Sequence, residues 1–98
     1  GKICWKDNAK KILGKINGLY PSPGAWFLFK GERYKILKAE LSIVKGNPGV
    51  ILSENFEIGC KEYSIKVLEI QREGKQSQNI KDFIQGTKIK KGIDLNHE

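Results

Sequence analysis

The apolar positions in the first part of the chain recur at helical spacing. When residues 7–19 are wound as a helix, positions 9, 12, 13, 16 and 19 form one apolar stripe, and most of the lysines fall outside it. Asp7 or Asn8 can accept hydrogen bonds from the first free amides, and Gly18 stands where a terminating glycine would. The pattern predicts an amphipathic helix that packs on its own domain.

A corner rich in proline and glycine follows this helix and leads into a strand. Pro21 and Pro23 exclude a helix through residues 20–23, because proline fixes φ and biases the preceding residue toward extended geometry. Gly24 permits a turn that a residue with a Cβ would resist. The uncharged run Ala-Trp-Phe-Leu-Phe at 25–29 then predicts a buried strand.

Short strand patterns fill the remainder of the chain. Polarity and turn signals predict strands over 33–41, 50–53, 56–60 and 63–71, a short helix over 79–85, a last strand over 87–89 and a loose tail beyond 95. Within 33–41, unbroken alternation places positions 35, 37, 39 and 41 on one face. Short strands in series favour a small barrel or sandwich, since exposed sheet edges are then protected. We therefore expect one mainly β domain over 1–98, with two short helices, the first over 7–19, and a barrel over 25–92.

Composition places the chain among small globular domains. With 98 residues it can bury one core, but it is too short for a catalytic domain and a binding domain together. No run approaches the ~20 apolar residues of a membrane helix, and the first residues lack the apolar region of a signal peptide. The sequence contains no methionine, so we expect it to be a fragment of a longer protein.

The cysteines and the histidine do not have the spacing of a metal site. Cys4 and Cys60 are far apart, and the only histidine, His97, lies in the tail. Metal sites usually bring cysteines in close pairs, or together with histidines. We expect two buried or half-buried free thiols, no bound metal and no acid or base partner for His97.

The net charge of +7 is unevenly distributed along the chain. Residues 1–49 carry ten basic and three acidic side chains, whereas residues 50–98 carry eight of each. A basic segment of this kind is typical of proteins that bind polyanions, because clustered lysines and arginines displace counterions from phosphates. A solvated surface that maintains solubility explains the same charge, so charge alone leaves both interpretations open.

Six motifs in a fixed order give the chain a resemblance to a known family. They are Pro21-x-Pro23-Gly24-Ala25, Lys35-Ile36-x-x-Ala39, Pro48-Gly49, the two-strand segment that ends in Cys60, Leu68-x-x-Gln71-x-x-Gly74-Lys75, and Asp82-Phe83-x-x-Gly86. With these motifs the chain resembles the C-terminal domain of methionyl-tRNA formyltransferase over residues 3–95.

The resemblance implies a small OB-like open Greek-key barrel that binds tRNA through a basic surface. In that family the full enzyme is cytoplasmic and transfers a formyl group from 10-formyltetrahydrofolate to the methionine amine of initiator tRNA in translation initiation. Catalysis belongs to an N-terminal domain that has no counterpart in this sequence. We therefore expect no catalytic residue, no cofactor and no transferase activity in this domain alone. The expected partner is tRNA, with no membrane contact, and the expected state is a monomer.

The RNA contacts are predicted among the basic side chains near the last turns. Because tRNA is mostly A-form helix, a domain that holds it uses shape and phosphates more than base edges. This favours many lysines and few aromatic platforms, so Trp5, Trp26, Phe27 and Phe29 are assigned to the core. The predicted RNA-binding residues are Arg72, Lys75, Lys88, Lys90 and Lys91, with Lys35 on the second strand.

Two other interpretations of the sequence stay open. The same type of C-terminal domain occurs in relatives that formylate sugars or hydrolyse formyl-folate, where it does not need to bind RNA; the positive net charge argues against them. A free-standing OB-like module for single-stranded nucleic acid is the second alternative. It would be favoured by aromatic side chains exposed on one face of the sheet.

Overall fold

A curled, five-stranded antiparallel sheet forms the centre of the fold. The computed structural model describes residues 1–97. Its strands are β1 (Ala25–Phe29), β2 (Glu32–Ser42), β3 (Glu57–Gly59), β4 (Ser64–Arg72) and β5 (Ser77–Asn79), and its helices are α1 (Ala9–Leu19) and α2 (Ile80–Gly86). The strand order is β1-β2-β4-β3, and β5 pairs with a second part of the β4 edge. The prediction of a mainly β, OB-like open barrel with two short helices is confirmed.

Helix α1 begins at Ala9 because the side chain of Asn8 accepts a hydrogen bond from the Lys11 amide at 2.9 Å. The buried members of its apolar stripe pack against the sheet, as the spacing predicts. The helix ends at Leu19, as predicted, but it begins two residues later than the predicted position 7, and Gly18 lies within its last turn. The helix ends where Tyr20 takes the extended geometry that a following proline imposes.

Strand β1 has the predicted bounds, but only alternate side chains enter the core. Ala25, Phe27 and Phe29 are buried, and the Phe27 ring stacks on Tyr34 with centroids 5.4 Å apart. Trp5 packs against Phe27 from the N-terminal segment at 6.2 Å. The prediction that Trp5, Phe27 and Phe29 belong to the core is therefore confirmed.

Strand β2 contains an irregularity that breaks its alternation. The pairing with β4 shifts register between Ile36 and Ala39, and both Ile36 and Leu37 are buried. The prediction that positions 35, 37, 39 and 41 share one face is therefore wrong. An extra residue in one strand bends it and increases its twist, which contributes to the curl of the sheet.

The segment 50–53 is not a strand, contrary to prediction. Val50 and Ile51 form isolated bridges to Asp94 and Ile58. The bridge from Val50 to Asp94 also holds the tail, where Leu95 is buried and the Asn96 side chain donates to the Pro48 carbonyl at 2.6 Å. The expectation of a loose tail beyond residue 95 is therefore wrong for residues 96 and 97, because Leu95–His97 form a short 3-10 helix and Asn96 is bonded to the loop around Pro48.

Helix α2 closes one end of the barrel. Asn79 caps it by accepting from the Asp82 amide at 2.9 Å, and the buried ring of Phe83 meets Tyr34 and Phe56 edge-on at 5.8 and 5.6 Å. The sequence placed this helix one residue too early. The segment 87–89, predicted as a strand, has an irregular backbone. Strand β5 was not predicted.

No helix within residues 1–97 is long and apolar enough to cross a membrane.

Gly59 provides a test of how the 46–49 loop packs on the sheet. Its amide donates to the Val50 carbonyl at 3.0 Å, and a Cβ there would overlap the carbonyl oxygen of Asn47. Because backbone cannot move aside as a flexible side chain can, we expect Gly59→Ala to lower the free energy of unfolding by about 2 kcal/mol.

Gly14→Ala is the matched control for this change. Its Cβ would meet open space on the surface of α1, so we expect a gain of about 0.5–1 kcal/mol from helix propensity. Urea unfolding followed by circular dichroism measures both variants. A Gly59→Ala midpoint equal to that of the wild type would contradict the packing described here.

Candidate nucleic-acid interface

A groove of about 760 Å³ lies between α2 and the β4–β5 hairpin. The buried rings of Phe29, Tyr34 and Phe83 form its apolar part. Charged side chains line it as well: the basic residues Lys30, Arg72, Lys75 and Lys88 and the acidic residues Glu32 and Asp82. We call this surface the hairpin groove. Its basic groups outnumber its acidic groups four to two, so it offers a positively charged surface to an anion.

Local structure sets the positions of the basic side chains in the hairpin groove. Arg72 is the last residue of β4, and a turn follows it. In this turn the Lys75 amide donates to the Arg72 carbonyl at 2.9 Å. The Gln71 side chain holds the same turn by donating to the Lys75 carbonyl at 2.9 Å. Lys88 reaches the groove from the segment that follows α2. The turn and the helix therefore bring together residues that are separated in the sequence.

Arg72 is engaged inside the groove by a carboxylate. Its guanidinium donates to Glu32, and the Tyr34 hydroxyl donates to the same carboxylate at 3.3 Å. The hydrogen bond from Arg72 holds the pKa of Glu32 below its ordinary range and raises the pKa of Arg72. Burial raises the pKa of Tyr34. Arg72 thus has a fixed orientation, while part of its charge is already balanced.

The structure brings together three of the six predicted RNA-binding residues. Arg72, Lys75 and Lys88 line the hairpin groove. Lys90 and Lys91 line a different depression, where the Lys90 ammonium donates to the Ile84 carbonyl at 2.9 Å.

Lys35 lies apart from both groups, on the other side of β2. Its ammonium donates to the Pro21 carbonyl at 3.1 Å, and its methylenes cover Gly24, which has a φ of +84°. Lys30, which lines the groove from the β1–β2 turn, was not among the predicted contacts. The turn itself is visible in the sequence, but the groove beneath it forms only when α2 packs on β2 and β4.

Trp26 is a correction to the assignment of aromatic residues to the core. It is half-buried on the face of β1 opposite Phe27, and the Arg33 guanidinium carbon lies 3.8 Å from the centroid of its ring. The uncharged run 25–29 suggested burial on both sides. The alternation of a hairpin strand instead turns Trp26 outward, where an arginine covers it.

The two cysteines and His97 do not line the hairpin groove. Within residues 1–97 no three His, Cys, Asp or Glu side chains are close enough to hold a metal. Both thiols are free: Cys60 is buried, and burial raises its pKa to about 11, whereas Cys4 is exposed, contrary to expectation. His97 is exposed, and its Nε2 lies 3.4 Å from Asp94, a neighbour that the sequence did not predict.

The Arg72–Glu32 contact predicts a specific titration. The folded pKa of Glu32 lies below its ordinary value of 4.5, so the stabilisation from this contact is present above pH 4.5 and is lost as the pH falls through the lowered pKa. We expect the ¹³C NMR midpoint of the Glu32 carboxyl to be lower than 4.5 and to rise in Arg72→Met. Lys88→Met, which removes a charge from the same groove, should leave that midpoint nearly unchanged. Equal midpoints in the wild type and Arg72→Met would contradict the contact.

Comparison with known proteins identifies close sequence relatives. Residues 1–88 match the family model described as "Formyl transferase, C-terminal domain". A methionyl-tRNA formyltransferase of Pelagibacter ubique is 59% identical over 93 residues, which cover 94% of this chain and 30% of that protein. One from Thermodesulfovibrio yellowstonii is 42% identical, with 96% of this chain and 31% of that protein covered. The chain thus spans about 30% of the length of these relatives.

Among solved structures, a variant of HypX from Aquifex aeolicus is similar in fold. It superposes with a TM-score of 0.68 at 21% identity, over 89% of this chain and 17% of that one. At this level of identity the similarity concerns the fold alone.

Proposed function

Because the chain belongs to the formyl transferase C-terminal domain family, we propose that it is the tRNA-binding domain of a methionyl-tRNA formyltransferase. Relatives that match nearly the whole chain carry that enzyme name. The hairpin groove is the observation that carries the proposal. Its positively charged lining combines a fixed arginine with exposed lysines, which is the composition expected for contact with phosphates.

The groove suits the backbone of a folded RNA better than a small molecule. It is open to solvent, and Lys75 and Lys88, which line it, are exposed. Long, flexible lysine side chains can follow a phosphate backbone without reading base edges, and A-form RNA presents mainly its backbone and shallow minor groove. Binding of this kind gives affinity and orientation with little sequence preference.

In the whole enzyme, this domain would position initiator methionyl-tRNA for a catalytic centre outside residues 1–98. The formyl group of 10-formyltetrahydrofolate would be transferred at that centre, in the cytoplasm, to the methionine amine. The present domain would act as a monomer that contributes affinity and orientation. It needs no metal, cofactor or catalytic side chain for that role, and we expect it to have no transferase activity by itself.

Charge reversal in the groove tests this proposal. We expect Lys75→Glu/Lys88→Glu to reduce affinity for a tRNA pool about tenfold or more at low salt, because two phosphate contacts become repulsive. The measurement is fluorescence anisotropy with labelled tRNA, with circular dichroism to verify that the variant is folded.

Lys90→Glu/Lys91→Glu is the matched control, since it changes the net charge equally at a depression outside the groove. We expect it to lower affinity by less than about threefold, through long-range charge alone. If this control loses more affinity than the groove variant, the tRNA contact lies elsewhere and the assignment to the groove is wrong.

A further inference from the structure

The outer face of β1 and β2 carries a second group of basic side chains, arranged around a tryptophan. Trp26 lies directly across from Lys35 on β2, and Lys2 forms a parallel bridge with Trp26 on its other side. Residues directly opposite each other in a sheet project from the same face. Lys2, Trp26 and Lys35 therefore form one row across the face that points away from Phe27.

Arg33 joins this row through the ring of Trp26. It lies two residues before Lys35 and so projects from the same face. Its guanidinium carbon is 3.8 Å from the centroid of the Trp26 ring, while about half of its side chain, 48%, stays exposed. Trp26 thus holds an arginine against the sheet with solvent beside it. We call Lys2, Trp26, Arg33 and Lys35 the outer-face row.

The positive charge of the outer-face row is only partly balanced by acidic side chains. The Lys35 ammonium donates to the Pro21 carbonyl at 3.1 Å. A carbonyl orients an ammonium group but does not cancel its charge. Glu73, 3.8 Å from the Arg33 guanidinium, supplies a carboxylate. The row also lies within residues 1–49, the part of the chain that carries the whole charge excess.

We propose that the outer-face row binds an unpaired nucleotide of RNA. The base would stack on the exposed side of the Arg33 guanidinium, with Trp26 supporting the other side, and flanking phosphates would meet Lys2 and Lys35. Unpaired bases stack on arginine planes and aromatic rings in many RNA complexes, whereas paired bases are not accessible for such contact. This surface is separate from the hairpin groove, and the proposal does not depend on the groove binding tRNA.

A conservative substitution separates stacking from charge. Arg33→Lys keeps the charge but removes the planar group, so we expect its affinity for a single-stranded oligouridine to fall about tenfold, the range of one lost stacked base. Its affinity for inorganic polyphosphate of similar length should change by less than about twofold, because only phosphate contacts operate there. Polyphosphate is thus the matched probe that lacks bases.

Trp26 itself reports on binding at this face. Trp5 is only 5% exposed and packs within the core against Phe27, so a change in tryptophan fluorescence on adding oligouridine arises mainly at Trp26. We expect clear quenching by oligouridine and little by polyphosphate. Trp26→Leu should abolish the quenching and weaken oligouridine binding to a degree similar to Arg33→Lys, with circular dichroism confirming the fold.

Two results would overturn the proposal. In the first, Arg33→Lys binds oligouridine as tightly as the wild type, which would make this face an ordinary cationic surface. In the second, oligouridine binding is lost in Lys75→Glu/Lys88→Glu but kept in Arg33→Lys, which would place the single strand in the hairpin groove. Loss of tRNA binding without loss of oligouridine binding would concern the groove alone, so the two proposals can fail separately.

Discussion

The buried ring of Tyr34 links the hydrophobic core to the charged surface of this domain. On one side it stacks on Phe27, and Phe83 of α2 packs edge-on against it. Its hydroxyl reaches the Glu32 carboxylate that orients Arg72. Because aromatic packing fixes the ring, the groove residues that depend on it are held in place as well. The buried contact between Tyr34 of β2 and Phe83 of α2 thus helps to set the positions of the charged side chains in the hairpin groove.

Successive side chains of β2 point to opposite faces of the sheet, so two basic surfaces lie on the two sides of this strand. Tyr34 points into the core next to the hairpin groove, and its neighbours Arg33 and Lys35 point to the opposite side. The two surfaces differ in chemistry. The groove combines exposed lysines with an arginine that is already paired, which suits phosphates, whereas the outer face supports an arginine on a tryptophan ring, which suits a base. Together they would let a small domain contact both helical and unpaired parts of one RNA.

Local sequence signals were sufficient for much of the fold. The apolar stripe and the capping signal at Asp7 or Asn8 identified α1, and the aromatic run after Gly24 gave β1 its bounds. Structural features that depend on pairing with residues distant in the sequence could not be predicted from local signals. The polar segment Ser77–Asn79 has little intrinsic strand preference and becomes β5 only by pairing with β4. The irregularity in β2 likewise arises from its register with β4.

The candidate site shows the same limit. Clustering along the sequence suggested that Lys75, Lys88, Lys90 and Lys91 act together, but the chain after α2 directs the last two into another depression. Only the packing of α2 on the sheet determines which lysines share a groove. The outward position of Trp26 could have been inferred from strict strand alternation, since an uncharged run in a hairpin still has one outer face.

The salt dependence of tRNA binding tests the central claim most directly. If the domain binds phosphates, log K should fall linearly with log salt, with a slope of about −2 to −4 for three to five contacts. The measurement requires only the wild-type chain, a bulk tRNA pool and a check of the fold by circular dichroism at each salt concentration. A folded domain that fails to bind tRNA even at low salt would contradict the account. The basic side chains would then be a solvated surface, and a sugar- or folate-directed formyltransferase relative would become the better assignment.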